Sequence, residues 1–406
     1  MIQELSWWLF LAIVPVAYWL VPLRFRFPLL GASSLFALMM LAPVFVAQML
    51  ALSLVVYGAF AVQTRLVASA PSAFLSRLQK PAVSLGGILC LIILGYLFNY
   101  KYWPQIAGLF WRRPTLMELA IPIGISYFCF KIMHYAIERG RGTFPQHGLP
   151  EYLAWLFLMP TFTSGPIERF EHFLGERTDR FSFSLVVEGG TRIAIGLIKR
   201  FVLVEQLNHY IDHFSGSDLT AFAHGLGGEP GAFAVWAYLS LSLIILYLDF
   251  SAYSDIAIGA SRLFGLRIME NFEYPLLATN LADFWRRWHM SLTGWCRAYI
   301  YMPVIGITRN PYIAVIATFI LVGLWHGGSI HWLAWGLWHG VGQSGALRWS
   351  QFARKRKIGF FKTRLGKLVG WALTFAFVTL GGALVAFYQN GHFIDSFRLM
   401  GRAFGA

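Results

Sequence analysis

Apolar runs recur along the whole chain, most of them long enough to cross a hydrocarbon core of roughly 30 Å as one helix of about 17 residues or more. Candidate spans fall at residues 6–22, 28–42, 45–63, 81–99, 116–137, 151–165, 185–209, 231–250, 311–326, 330–347 and 368–388. The two-residue alternation of a membrane β-barrel is absent. A lipid-embedded backbone must therefore satisfy itself as helices. The expected class is all-α: one polytopic membrane domain over residues 1–406, with about eleven transmembrane or re-entrant helices. The first run, "WWLFLAIVPVAYWLV", follows an acidic start and has no small-residue cleavage site, so it reads as a retained helix rather than a signal peptide.

Composition agrees. Only 13% of the 406 residues are charged and 57% are hydrophobic, and mean hydropathy is +0.58. A soluble domain carries about twice that charge. The formal charge of +14 would suit a nucleic-acid binder, but the basic residues gather in short segments between apolar runs, as cytoplasmic loops do. No nucleic-acid partner is expected. The stretch "QFARKRKIGFFKTRLGKL" (351–368) holds seven basic residues and no acid, and some of that charge suits anionic lipid headgroups.

Charge also sets an expected topology. "LRFRF" (23–27) and residues 63–80 are basic and acid-free, hence cytoplasmic, which leaves the N-terminus outside. Residues 212–232 hold three acids and no Lys or Arg and read as extracytoplasmic. Residues 251–310, rich in arginine, return to the cytoplasmic side and carry His289 with them. A helix over 311–326 then runs outward for about 24 Å, placing His326 deeper in the membrane or near its outer half.

Against this apolar background two stretches stand out. "DFWRRWHMSL" (283–292) combines an acid, two arginines and a histidine. As a continuous helix it pairs Asp283 with Arg287, lays Trp285 over His289, and lays His289 over Thr293. It reads either as an amphipathic helix in the headgroup zone or as the mouth of a site where His289 meets a ligand. Upstream, "YLDFSAYSDIAIGASRLFG" (247–265) embeds Asp249 and Asp255, with Arg262 or Arg267 as partners that would offset their cost near lipid. Helix termination is an equal reading for them.

The second stretch, "FILVGLWHGGSIHWLAWGLWHG" (319–340), places His326, His331 and His339 in strongly apolar sequence. Their spacings do not align on one helical face, and the chain is expected to turn at Gly327 and Gly328. No metal site is expected, either here or at Cys90, Cys129 and Cys296, which show no paired spacing and read as packing residues. His331 and His339 read as residues joining helices. His326 reads as an acid/base group, since neutral imidazole takes a proton from a hydroxyl without bringing permanent charge into a dry site. The chain has no GxSxG, Walker loop, strand-linked GxGxxG or HExxH. Any chemistry therefore falls to histidine, with Asn271, Asp283 and Arg287 as polar helpers and Trp325 beside His326.

At these residues the sequence resembles the membrane-bound O-acyltransferase family, and most of all its bacterial branch of alginate O-acetylation and teichoic acid D-alanyl transfer proteins. The match is dense over 247–340 and weaker in "IPIGISYF" (121–128), "MPTFTSGPIERF" (159–170) and "GLIKRFVL" (196–203). It departs at Arg297-Ala298, where related members usually read Arg-Asp. The resemblance implies a helical fold around a tunnel or paired funnels. It assigns His326 as the catalytic base and His289 as the second signature histidine; Asn271, Asp283, Arg287 and Trp325, from the reading of the residues, are the substrate-binding candidates.

The expected activity is O-acyl transfer in a bacterial cytoplasmic membrane. No bound cofactor is expected; the co-substrate is an acyl thioester, acetyl-CoA or an acyl or D-alanyl carrier protein, approaching from the cytoplasm. The acceptor is a hydroxyl of an envelope polysaccharide or teichoic acid, with an extracytoplasmic acyltransferase as partner. The alternative is a transporter or lipid-linked flippase without acyl transfer, which predicts an internal repeat that the sequence does not display.

Overall fold

The computed structural model describes residues 4–69, 85–103, 124–215, 223, 231–389 and 392–405. The expected loops at 63–80 and 212–232, and the first part of the span 116–137, lie largely outside the described residues. Among those described the architecture is helical, and the extended pairing is an isolated bridge between Arg177 and Leu266. In chain order the helices are α1 (Leu5–Leu20), α2 (Leu23–Leu41), α3 (Pro43–Ser69), α4 (Leu85–Lys101), α5 (Ile125–Arg141), α6 (Leu149–Leu156), α7 (Phe170–Gly175) and α8 (Phe183–Ile198). A π turn, Lys199–Leu203, leads into α9 (Val204–Ser215), and α10 (Ala232–Arg262) follows. Then come α11 (Leu281–Arg287), α12 (Met290–Cys296), a second π turn (Arg297–Tyr301), α13 (Met302–Thr308), α14 (Pro311–His326), α15 (Ile330–Lys355), α16 (Arg364–Ala383) and α17 (Phe393–Arg402).

Among the described residues four helices are long and apolar enough to cross a membrane: α2, α3 over Pro43–Leu66, α10 and α16. Helices α1, α4 and α14 are apolar but shorter. The expected span 151–165 is not one helix. Helix α6 stops at Leu156, and a 3₁₀ turn at Met159–Thr161 follows. Pro160, Gly165 and Pro166 explain the break, because proline clashes with the preceding turn and donates no backbone hydrogen bond.

The chain divides into two compact units, Met1–Ala194 with Ser254–Met269, and Ile195–Tyr253 with Glu270–Ala406. In the first unit Tyr135, Tyr152, Trp155 and Phe170 pack as a buried aromatic core, with Tyr135 and Tyr152 centroids 4.4 Å apart and Trp155 and Phe170 5.1 Å apart. Buried Lys131 donates its Nζ to the carbonyl oxygens of Trp155 at 2.7 Å and Leu156 at 3.4 Å. The amino group thereby caps the carbonyl end of α6, satisfying acceptors that the helix itself leaves open. Asp255 pairs with Arg192 at 2.6 Å, and Arg262 pairs with Glu188 at 2.7 Å.

In the second unit Asp249 pairs with Arg200 at 3.2 Å. Both carboxylates thus find arginines far upstream, not the Arg262 or Arg267 expected from local sequence. One core joins Val235, Leu239, Leu380, Ala383, Phe387 and Leu399; another joins Ala278, Phe284 and Val378. Helices α14 and α15 form an antiparallel pair linked by Gly327, Gly328 and Ser329. Asn310 starts α14, its side chain accepting from the Tyr312 and Ile313 backbone N–H groups, with Pro311 at the first helical position.

Candidate active site

All the residues of the candidate site belong to the second unit. Asn271 is fully buried, and its main chain runs beside the end of α11. The Met290 N–H donates to the Asn271 carbonyl at 2.9 Å, and the Glu273 N–H to the Arg287 carbonyl at 3.0 Å. These two bonds draw the chain out of helical register. Helix α11 therefore ends at Arg287, and His289 takes a left-handed conformation with φ 43° and ψ 55°. A non-glycine residue held there pays in backbone strain, a feature that concentrates at functional sites.

The continuous helix expected over 283–292 is thus broken. Asp283 and Arg287 do pair as expected, at 3.0 Å. Trp285, however, does not cover His289; its ring lies 5.2 Å from that of His339 and 4.9 Å from that of Phe319.

The side chain of Asn271 fixes what His289 presents. Its Oδ1 accepts from the Ser291 hydroxyl at 2.7 Å and lies 3.0 Å from His289 Nδ1. An amide oxygen only accepts, so Nδ1 carries the proton and Nε2 is the basic nitrogen. The Phe250 ring stands edge-on to the imidazole at 4.8 Å. Burial, and to a lesser extent the charge of His326, pushes the His289 pKa down to about 3. The ring is neutral at ordinary pH.

His326 is the last residue of α14, and its side chain is exposed. The water-excluded member of the pair is His289, which is 4% exposed. Three tryptophans frame the His326 ring: Trp332 stacks at 4.6 Å with an 18° interplanar angle, Trp325 lies at 4.5 Å, and Trp335 meets it edge-on at 5.6 Å. This frame depends on Gly323. A Cβ there would run into the Trp332 carbonyl oxygen, so only glycine lets α15 approach α14 closely enough to stack Trp332 on the histidine.

The other candidates fall into place around these two. Trp325 adjoins His326 as the sequence implies. Asp283 is taken up by Arg287 and Arg286. Its burial opposes ionisation, but hydrogen bonds from Arg287 and Arg286 hold the carboxyl below its usual range. Arg287 also reaches the Glu273 carbonyl at 3.4 Å, so this pair ties α11 to the segment beside Asn271. His331 packs on Phe393, and buried His339 sits among Trp285, Phe319, Trp335 and Phe377, both serving as joints between helices. Among the described residues no three His, Cys, Asp or Glu side chains gather as a metal site.

Ser291, Phe250, Trp332 and Trp335 were not singled out from sequence. Ser291 stands two residues after His289 in "HMSL", the one local signal available for any of them.

A sequence model of the membrane-bound O-acyltransferase family matches residues 84–388. The chain is 32% identical over 309 residues to a probable alginate O-acetylase of Pseudomonas aeruginosa, covering 73% of this chain and 56% of that protein. It is 28% identical over 302 residues to a teichoic acid D-alanyltransferase of Bacillus subtilis, covering 70% and 73%. It is 25% identical over 329 residues to a peptidoglycan O-acetyltransferase of Helicobacter pylori, covering 73% and 60%. The aligned region spans less than two thirds of the alginate O-acetylases it matches, between 55% and 61% of their length. With a family match over most of its length, this chain belongs to the membrane-bound O-acyltransferase family.

Proposed function

We propose that the chain transfers an acyl group from a thioester donor, reached from the cytoplasm, to a hydroxyl of a cell-envelope polymer reached from the other face. The observation that carries this reading is the family match over residues 84–388, with His289 buried and held by Asn271 and His326 exposed and stacked on Trp332 as the imidazoles available to the chemistry. His326 is the general base. It removes the proton from the acceptor hydroxyl as that oxygen attacks the thioester carbon, the carbon–sulfur bond breaks, and the departing thiolate takes up the proton. His289, held in one tautomer by Asn271, is too weak a base for this step and instead positions the thioester or its developing oxyanion.

Acetyl is the first candidate for the acyl group, because the alginate O-acetylases align over a larger share of this chain and at higher identity than the Bacillus D-alanyltransferase. An acetyl or D-alanyl donor on CoA or a carrier protein, an extracytoplasmic acyltransferase as partner, and placement in a bacterial inner membrane complete the reading. The test offers labelled acetyl-CoA or a D-alanyl carrier to membranes holding wild type or His326→Ala, with mass analysis of the product. Loss of transfer by about 10²-fold or more in the variant supports the role. Equal transfer by both proteins overturns it.

A further inference from the structure

Between Asp283 and Asp395 the sequence contains no acidic residue. In the middle of that interval lies an ordered hairpin joining α15 to α16, bearing eight cations: Arg348, the run Arg354 to Lys357, Lys362, Arg364 and Lys367. Among the described residues none of the eight takes part in an ion pair, and all are exposed. So much like charge is costly to hold together unless something anionic covers it.

The hairpin is built to hold its shape. Lys357 closes α15 in a left-handed turn, and the Ile358 N–H donates to the Ala353 carbonyl at 2.9 Å. Thr363 caps α16 by accepting from the Gly366 N–H at 3.0 Å, and a Cβ on Gly366 would clash with the Phe360 carbonyl. Interleaved with the cations are exposed aromatic rings, Trp349, Phe352, Phe360 and Phe361, with Arg356 lying 5.8 Å over the Phe352 ring.

The apolar component decides between partners. The exposed side chains Leu365, Leu368 and Leu373 carry the aromatic strip onto α16, one of the four helices suited to crossing a membrane. Cations at the head of such a helix stand at the level of the headgroups, with aromatic rings at the acyl boundary just below. A soluble acidic protein would answer the charge but leave this apolar strip uncovered. We propose that the 348–368 hairpin is a binding site for anionic phospholipid, its cations taking the headgroup phosphates and its aromatic rings entering the bilayer interface.

The test uses the full chain in a neutral detergent, offered equal phosphatidylglycerol and phosphatidylcholine, with the retained lipid counted by native mass spectrometry. Wild type should retain phosphatidylglycerol preferentially. The preference should fall by about 10- to 100-fold in the combined variant Arg354→Gln, Lys355→Gln, Arg356→Gln, Lys357→Gln. Arg354→Lys with Arg356→Lys should keep it. Raising salt from about 0.15 M to 1 M, which shortens the screening length from about 8 to 3 Å, should weaken the preference in wild type itself, so the reading stays testable even if the fourfold variant misfolds.

No preference in wild type, or an unchanged preference in a monodisperse glutamine variant, overturns the proposal. Hairpin-dependent binding of a purified acidic acyl carrier protein, without lipid preference, overturns it in favour of a protein-docking face. None of these measurements reads acyl transfer, so their failure leaves the catalytic reading untouched.

Discussion

His289 donates its Nδ1 proton to the side-chain oxygen of Asn271, a contact of 3.0 Å between residues 18 apart in the chain. That bond selects the tautomer, and the shared acceptor also binds Ser291. Asn271→Ala removes the acceptor of both. Losing a buried hydrogen bond of about 1 to 3 kcal/mol corresponds to roughly a ten- to hundredfold slower transfer. Steady-state rates in membranes, with protein amount normalised by immunoblot, check this.

Asn271→Asp keeps both acceptor contacts but adds a negative charge. An adjacent carboxylate favours imidazolium, so the His289 pKa should rise. The variant should therefore protonate His289 at higher pH than wild type. A pH–rate profile whose acid limb moves upward in Asn271→Asp bears this out; an unmoved limb removes His289 from the titrating groups.

The same burial links pH to stability. His289 titrates near 3 when folded and near its ordinary 6.5 when unfolded, so between these values the unfolded chain binds the additional proton. The contribution is fully present above about pH 6.5 and is lost as pH falls toward 3, at up to about 1.4 kcal/mol per pH unit. Thermal unfolding in detergent between pH 7 and 4 should show a shallower loss for His289→Gln than for wild type.

Gly323→Ala should push α15 away from α14 through the Trp332 carbonyl, with overpacking of about 1 to 3 kcal/mol. Because Trp332 stacks on His326, activity should fall along with melting temperature. Gly345→Ala on α15, where a Cβ meets nothing within 4 Å, serves as the control.

Arg192→Ala removes the guanidinium from Asp255, which is 5% exposed. The arginine is itself about one third exposed, which limits the expected loss to about 1 to 3 kcal/mol. Adding Asp255→Asn should recover part of it, since that change removes the charge the arginine answers. Melting curves of the single and double variants form the cycle that measures this.

Much of this was legible in the residues themselves. Helix α14 showed itself in the apolar run 311–326 and the expected turn at Gly327 and Gly328, and the Asp283–Arg287 pair followed from a spacing of four. What escaped depends on contacts across the chain. The break at His289 is imposed by Asn271, so no pattern within 283–292 reveals it. Asp255 answers to Arg192, 63 residues away, while Arg262, nearer in sequence, pairs with Glu188. The burial of His289 could not be read from flanking hydropathy either, because Phe250 and the Asn271 segment, both distant in sequence, pack against it.

The π turn at Arg297–Tyr301 carries a consequence for chain length. A π turn accommodates one residue more than a regular helix needs, while the flanking turns keep their faces. Helices α12 and α13 therefore already stand in the register of a chain one residue shorter. A single-residue deletion inside α14 would rotate everything beyond it by about 100° and carry His326 away from Trp332. The same deletion at 297–301 would instead straighten the helix and leave its neighbours where they are, making this segment a natural place for relatives of different length to part company.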